Sequence, residues 1–479
     1  QMNNPVDNSL CVTRRHFLGK GTGLSLGSIA LGGLLNNSLA GEESLKKPGF
    51  KPAAKRVIFL TQSGGPSQLE LYDEKPNLTK WAGKELPDSI RNGQRLTTMT
   101  ANQKQLIMPS RVKFSRSSKS GATVGEWLPH VFSIADELCF IKSMHTDQIN
   151  HAPAMTQFLT GNQIPGKPSI GSWVSYGLGS DNKNLPEYLV MISRMQRPSD
   201  QPLYDHYWGS GFLPSSYQGV KLRNARDPVL YLRDPDGLPS EIRRNMLDGI
   251  SKMNYLKLEQ SKDPETDTRI KQYEMAYRMQ TSVPDLVDFS NETEETFNLY
   301  GPDSRRPGSY AANCIMARRL AERGVRFIQL FHPDWDHHSR LSSWCVARCR
   351  DTDQATAGLI KDLKRRGLLE DTLVIWGGEF GRGVAGQGQW DSTEAGRDHH
   401  PRCFTIWLAG GGIKPGITFG STDDFSYNTQ DNPVHVRDLH ATVLHLLGIN
   451  HEQLTYRHQG LDAKLTGVEK SRVISKILI

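Results

Sequence analysis

Seven of the chain's 15 histidines (His145, His151, His332, His337, His338, His399 and His400) lie in short polar segments beside apolar runs. The densest segment is His332-Pro-Asp334-Trp-Asp336-His337-His338, directly after the apolar run Phe327–Phe331. Others are His145-Thr-Asp147-Gln-Ile-Asn150-His151, Glu379-Phe-Gly-Arg382 and Arg397-Asp-His399-His400. A further one, Gln62-Ser63-Gly-Gly-Pro-Ser67, is glycine-rich and carries two hydroxyls. Neutral imidazoles with carboxylates are the donor set of zinc, manganese or iron. Calcium is less favoured because it requires more oxygen ligands. A metal role competes with a structural one, in which Asp334, Glu379 and Arg382 form a buried ion-pair network. Gly-Gly-Pro-Ser turn chemistry likewise accounts for Ser63 and Ser67 without catalysis.

The elements that must hold these segments can be read from the apolar pattern. Short apolar runs at 56–61, 138–142, 188–192, 325–331, 372–376 and 403–408 predict buried strands. Helical spacing is expected over 154–159, 309–323, 344–366 and 436–447, with Gly324, Gly367 and Gly448 as stops. Strands alternating with helices of this length predict an α/β fold with a largely parallel central sheet and helices on both faces. In such a sheet chemistry gathers beyond the carboxyl ends of the strands, where four of these five segments fall, while Arg397–His400 precedes the run at 403–408. Residues of about 197–300 read as a helical and loop insertion packed over the sheet. Residues 85–125 read as polar loop.

Net charge is +7, and residues 1–40 carry Arg14, Arg15 and Lys20 against Asp7, leaving +5 elsewhere. No basic run interleaves with aromatics, which argues against nucleic acid as a partner. Thr13-Arg14-Arg15-His16-Phe17-Leu18 followed by an apolar stretch and Ser38-Leu39-Ala40 predicts a twin-arginine signal peptide over 1–40. The mature domain is then 41–479, periplasmic or extracellular, exported folded and without a transmembrane segment. The scattered cysteines suggest no disulfide framework. Cys345 and Cys349, four apart on a helix, read as packing residues.

The order of these motifs resembles the alkaline-phosphatase/sulfatase superfamily. More closely, it resembles the secreted bacterial domain-of-unknown-function family 1501. The resemblance runs through Gly64-Gly-Pro-Ser-Gln68, Asn150-His-Ala-Pro153, Trp208-Gly-Ser-Gly-Phe212, Asp334–His338, Gly378–Arg382 and Asp398-His-His-Pro401. It implies an alkaline-phosphatase-like sandwich and a divalent ion, zinc or manganese, on Asp334, His338 and His400. Asp336, His337 and His399 compete for that set, and Glu379 is a ligand or a base. The chain departs from the pattern at the nucleophile. His151-Ala-Pro-Ala-Met155 stands where sulfatases carry Cys or Ser and Arg, and the first strand delivers Gln62 and Ser63 in place of aspartates.

Those departures leave a hydrolase of sulfate or phosphate esters that uses an activated water or an atypical nucleophile. His151, His145, Ser63 and Arg382 are the catalytic candidates. Arg382 and Arg397 would hold an anionic group by bidentate hydrogen bonds, beside Asn150 and Gln62. The expected substrate is an anionic ester or a sulfated or phosphorylated glycan. The alternative is a non-catalytic member that binds a glycan or an envelope partner. A dinucleotide-dependent oxidoreductase does not fit, since no Gly-x-Gly-x-x-Gly follows the first strand.

Overall fold

A computed structural model describes residues 49–194, 202–222, 240–261 and 264–479. The expected signal peptide and parts of the expected insertion lie outside these residues. The central sheet takes its strands from β1 (Arg56–Gln62), β2 (Cys139–His145), β3 (Tyr188–Ile192), β4 (Val220–Leu222), β5 (Phe327–His332) and β6 (Thr372–Gly377). Off the sheet, β7 (Gly381–Gln387) and β8 (Gly396–His400) form an antiparallel pair. The sheet resumes with β9 (Phe404–Ala409), β10 (Ile417–Phe419) and β11 (Val434–His435). Its order is β10-β2-β9-β6-β1-β5-β3-β4, with β11 also on β2. Every pairing in it is parallel except those of β9, which runs antiparallel to β6 and β2.

That one reversed strand matters for the site. The carboxyl ends of β1, β5 and β6 share one edge of the sheet. Because β9 runs the other way, its beginning lies at that same edge, and so does the β7–β8 hairpin that leads into it.

The longer helices are α1 (His151–Thr160), α2 (Ile170–Leu178), α3 (Ser240–Ser261), α4 (Pro264–Val287), α5 (Glu294–Tyr300), α6 (Tyr310–Glu322), α7 (Leu341–Arg365) and α8 (Val436–Leu446). Successive strand side chains point to opposite faces. Ile58, Leu60, Ile328 and Leu330 thus pack into the core shared with Cys314 and Ile315 of α6 and Leu359 and Ile360 of α7. Phe59 turns the other way and meets Phe158 of α1 with ring centroids 5.4 Å apart. The sheet is therefore covered on both faces, which explains its strands' near-continuous apolar character. Each such side chain taken fully out of water contributes about 1.5–3 kcal/mol.

Local signals place the helix ends. Ser309 Oγ accepts from Ala312 N–H (3.0 Å) to start α6, and Gly324 sits beyond its end at φ 77°. In the described part of the insertion, α3 and α4 are joined by Arg244, which reaches Glu274 at 3.0 Å. Met279, Val283 and Leu286 of α4 enter the same core as the sheet. The stretch 85–125 is mostly irregular but contains a small antiparallel pair, Phe114–Arg116 with Thr123–Gly125. The five cysteines outside the expected leader are all buried and unbridged, Cys345 and Cys349 among them.

Candidate metal centre

Beyond β5 the chain makes a turn fixed from several sides. Asp334 adopts φ 76°, a left-handed conformation uncommon for a residue with a side chain. Its carboxylate pairs with Arg348 at 3.3 Å. The next residue, Trp335, is fully buried, and its indole N–H points at Gln62 Oε1 and His332 Nδ1, each at 3.1 Å. Trp335 N–H also bonds Ser63 O at 3.1 Å, which ties the turn to the loop after β1. Gly64, at φ 116°, must be glycine here. A Cβ at that position would lie 2.6 Å from Asp336 N and 2.7 Å from Trp335 N.

Past this turn the Asp336 and His338 side chains meet in one cluster that does not include His337. Among the described residues, one group of His, Cys, Asp and Glu side chains is close enough to share an ion. It comprises His151, Asp336, His338 and His399, with ligand atoms all within 4.8 Å of one another. Asp336 Oδ1 stands 2.9 Å from His338 Nε2, 3.2 Å from His151 Nε2 and 3.3 Å from His399 Nε2.

The outer nitrogen of each imidazole is anchored. His399 Nδ1 donates to Ile149 O at 2.8 Å, His338 Nδ1 to Gln387 Oε1 at 2.6 Å, and His151 Nδ1 to Glu379 Oε1 at 2.6 Å. A carbonyl or carboxylate oxygen only accepts, so in each neutral ring the proton sits on Nδ1 and the Nε2 lone pair faces inward. His338 Nε2 and His399 Nε2 are 2.9 Å apart, and the buried His151 Nε2 faces Asp336 Oδ1 at 3.2 Å. Lone pairs converging on a carboxylate repel one another unless a cation lies between them. The donor set therefore fits a divalent transition ion, and the anchoring acceptors are the partners that metal-bound histidines require.

Charge around the cluster is balanced by Arg382, whose guanidinium reaches Asp336 Oδ1 at 2.6 Å. Burial would raise the Asp336 carboxyl, but Arg382 and the surrounding histidines hold it well below the usual carboxylate range. Burial lowers His399 to about 4. Burial also pulls His151 down, but its bonds to Asp336 and Glu379 outweigh this and leave it above its ordinary value. A cavity of ≈ 120 Å³ opens beside the cluster, lined by His151, Glu379 and Ser63 together with Tyr204, Tyr207 and Met155.

The remaining expected site residues fall elsewhere. His400 is next to His399 on β8 but faces away, its Nε2 donating to Tyr427 O at 2.6 Å and burial lowering it to about 4. His337 is buried with neither ring nitrogen hydrogen-bonded, and burial lowers it to about 3. Asp334 is turned toward Arg348. The structure thus brings His338 into the cluster but neither Asp334 nor His400, and Asp336 and His399 stand in their places.

Glu379 is fully buried and accepts from Gly64 N–H at 3.0 and 3.2 Å, one shell out from the cluster. Arg382 and Arg397 are also fully buried and engaged with the protein. Arg382 donates to Gly64 O, Gly65 O and Arg397 O, and Arg397 pairs with Glu70 at 2.7 Å and bonds Met108 O at 2.8 Å. Neither faces the cavity. His145 packs edge-on against His435 (5.1 Å), Asn150 is an exposed residue before α1, and Gln62 supports Trp335. Ser63 lines the cavity, and its buried hydroxyl has no hydrogen-bond partner. Gln387, Tyr204 and Tyr207 were not anticipated. Gln387 lies 49 residues from the histidine it orients, a separation that leaves no local signal.

A family model described as "Protein of unknown function (DUF1501)" matches residues 54–478, and the chain belongs to that family. No curated protein matches the chain. Solved structures to which it is similar include the phosphonate monoester hydrolase SpPMH from Silicibacter pomeroyi, at 12% identity and TM-score 0.32, covering 67% of this chain and 68% of that one. The PsFucS1 sulfatase from Pseudoalteromonas sp. aligns at 13% identity and TM-score 0.33, over 89% and 72%. A mutant of the TAB5 alkaline phosphatase aligns at 14% and 0.33, over 83% and 99%. Overlaps of this size carry no argument about the reaction.

Proposed function

We propose that the chain is a metal-dependent ester hydrolase. The observation that carries this reading is the convergence of three imidazole lone pairs on Asp336 at the wall of a cavity. Asp336, His338 and His399 hold one divalent ion, zinc or manganese. Bound there, such an ion supplies a Lewis acid and brings the pKa of a water toward ~7. His151 is the group of the four that lines the cavity, and Glu379 orients it through Nδ1. Its Nε2 is thereby placed to take a proton from the attacking water and return it to the leaving oxygen, work worth typically 10²–10⁴-fold in rate. Arg382 holds Asp336 ionised, and Gly64 N–H holds Glu379 in place.

Sulfate or phosphate esters are the substrate class to which the resemblance points. Arg382 and Arg397 are engaged elsewhere, so neither is available to the ester's charged head. The twin-arginine motif supports export to the periplasm or beyond. No helix among the described residues is long and apolar enough to cross a membrane.

The same four-residue convergence also favours a second reading. With His151 as the fourth ligand the site is closed, as in structural metal sites, and the protein binds without cleaving. His151→Ala separates the two. The hydrolase reading expects the metal retained and turnover of aryl sulfates or phosphates reduced at least 100-fold. Loss of the metal in that variant, with no turnover by the parent protein, supports the closed site and overturns the hydrolase.

A further inference from the structure

The cavity beside the cluster is built unevenly. On the cluster side it presents His151, Glu379 and Ser63. On the far side the wall is apolar and aromatic, and it is fixed in place. Met155 lies one helical turn after His151 on α1, so both side chains share a face. Thr156, the next residue, meets His206 Nε2 at 3.2 Å. The His206 ring stacks on Tyr204 (5.5 Å, 16°) and meets Tyr207 edge-on at 4.6 Å. Tyr207 is buried, whereas Tyr204 remains 43% exposed at the rim. Aromatic faces and a polarisable thioether at this spacing suit a flat ring.

Charge points the same way. No lysine or arginine is among the described residues that line the cavity. Its one carboxylate is Glu379, already hydrogen-bonded to Gly64 and His151. A second anionic group carried against the far wall, away from the cluster, would be desolvated with no lysine or arginine of the described lining to meet it. Ser63, 2% exposed and without a partner, is the neutral polar group that an alcohol oxygen would find there.

We propose that the cavity takes the alcohol half of the ester, and that this half is an uncharged ring-bearing alcohol held between Met155, Tyr204 and Tyr207. The inference rests on the hydrolase reading. One water adds and the bond to the alcohol oxygen breaks, giving the acid and the ring alcohol, with the water's proton delivered to that oxygen. Substrates then carry charge on the ester head alone. Polyanionic glycans, charged along their length, are disfavoured.

The test is a titration followed by ligand-observed NMR of the full chain, with and without zinc. The probes are benzyl alcohol and 4-(hydroxymethyl)benzoate, which differ by one carboxylate. Benzyl alcohol is expected to bind at least tenfold more tightly, and Tyr204→Ala, a change at an exposed position, to weaken it at least threefold while zinc content stays constant. Equal or tighter binding of the carboxylate overturns the proposal, as does a Tyr204→Ala variant that binds benzyl alcohol as the parent does. Zinc uptake without ring preference refutes this inference alone. Ring preference without zinc uptake refutes the hydrolase reading and leaves the cavity's selectivity standing.

Discussion

Replacing Gln387 by leucine tests how the imidazoles are held. Gln387 closes β7 and is partly exposed, so the change leaves the core untouched. It removes the acceptor 2.6 Å from His338 Nδ1 and nothing else of consequence, because its amide nitrogen has only a 4.0 Å contact with Met99 Sδ. Without that acceptor His338 is free to rotate and to place its proton on either nitrogen. Loss of such an outer partner typically costs 10–100-fold in metal affinity, about 1.4–2.8 kcal/mol. Zinc affinity measured by competition with a chromophoric chelator at pH 7.5 should fall within that range in Gln387→Leu. In His338→Ala it should fall much further. An unchanged affinity in Gln387→Leu, alongside a large loss in His338→Ala, would refute the anchoring argument and leave ligation intact.

Two further outcomes concern the protein without metal. Arg382→Met leaves Asp336 without its counter-charge and strips donors from Gly64 O, Gly65 O and Arg397 O. Breaking a buried pair in this way costs about 3–5 kcal/mol, measurable by guanidinium denaturation, and a loss under about 1 kcal/mol would show that Arg382 is dispensable to the fold. Asp362 is fully buried and accepts from Arg365 Nε and Arg366 Nε, each at 2.7 Å, and from Tyr300 Oη at 3.0 Å. Burial would raise its carboxyl, but Arg366, Arg365 and Arg318 lower it overall. A depressed folded value means stability fully present above the unfolded value near 3.9 and lost as pH falls through the folded one. The stability gap between the parent and Asp362→Asn should thus be constant from pH 7 to 5 and narrow below about 4. A gap that widens on acidification would contradict the assignment.

Much of the scaffold was legible because its strands are buried on both faces and read as unbroken apolar runs. Tyr188–Ile192 matches its expected strand residue for residue, and the helix expected over 309–323 is present as Tyr310–Glu322. The edge at which the site forms also followed from the alternation of strands and helices. Choosing among adjacent ligands did not. Strict alternation from Asp334 would have put Asp334, Asp336 and His338 on one side, but the left-handed φ at Asp334 breaks it and turns that carboxylate to Arg348. On β8 neighbouring residues face opposite ways, so one histidine of the His399–His400 pair turns inward. The β7–β8 register also shifts between Arg397 and His399, an irregularity that a residue string does not encode locally. Arg397 looked available for an anion because its partner, Glu70, is 327 residues away.

The most direct measurement is a crystal structure of the zinc- or manganese-loaded chain with anomalous diffraction collected at the metal edge. The account predicts one strong peak bonded to Asp336 Oδ1, His338 Nε2 and His399 Nε2, with His151 facing the cavity. A peak at Asp334, His337 or His400, or no peak from a metal-saturated protein, would contradict it.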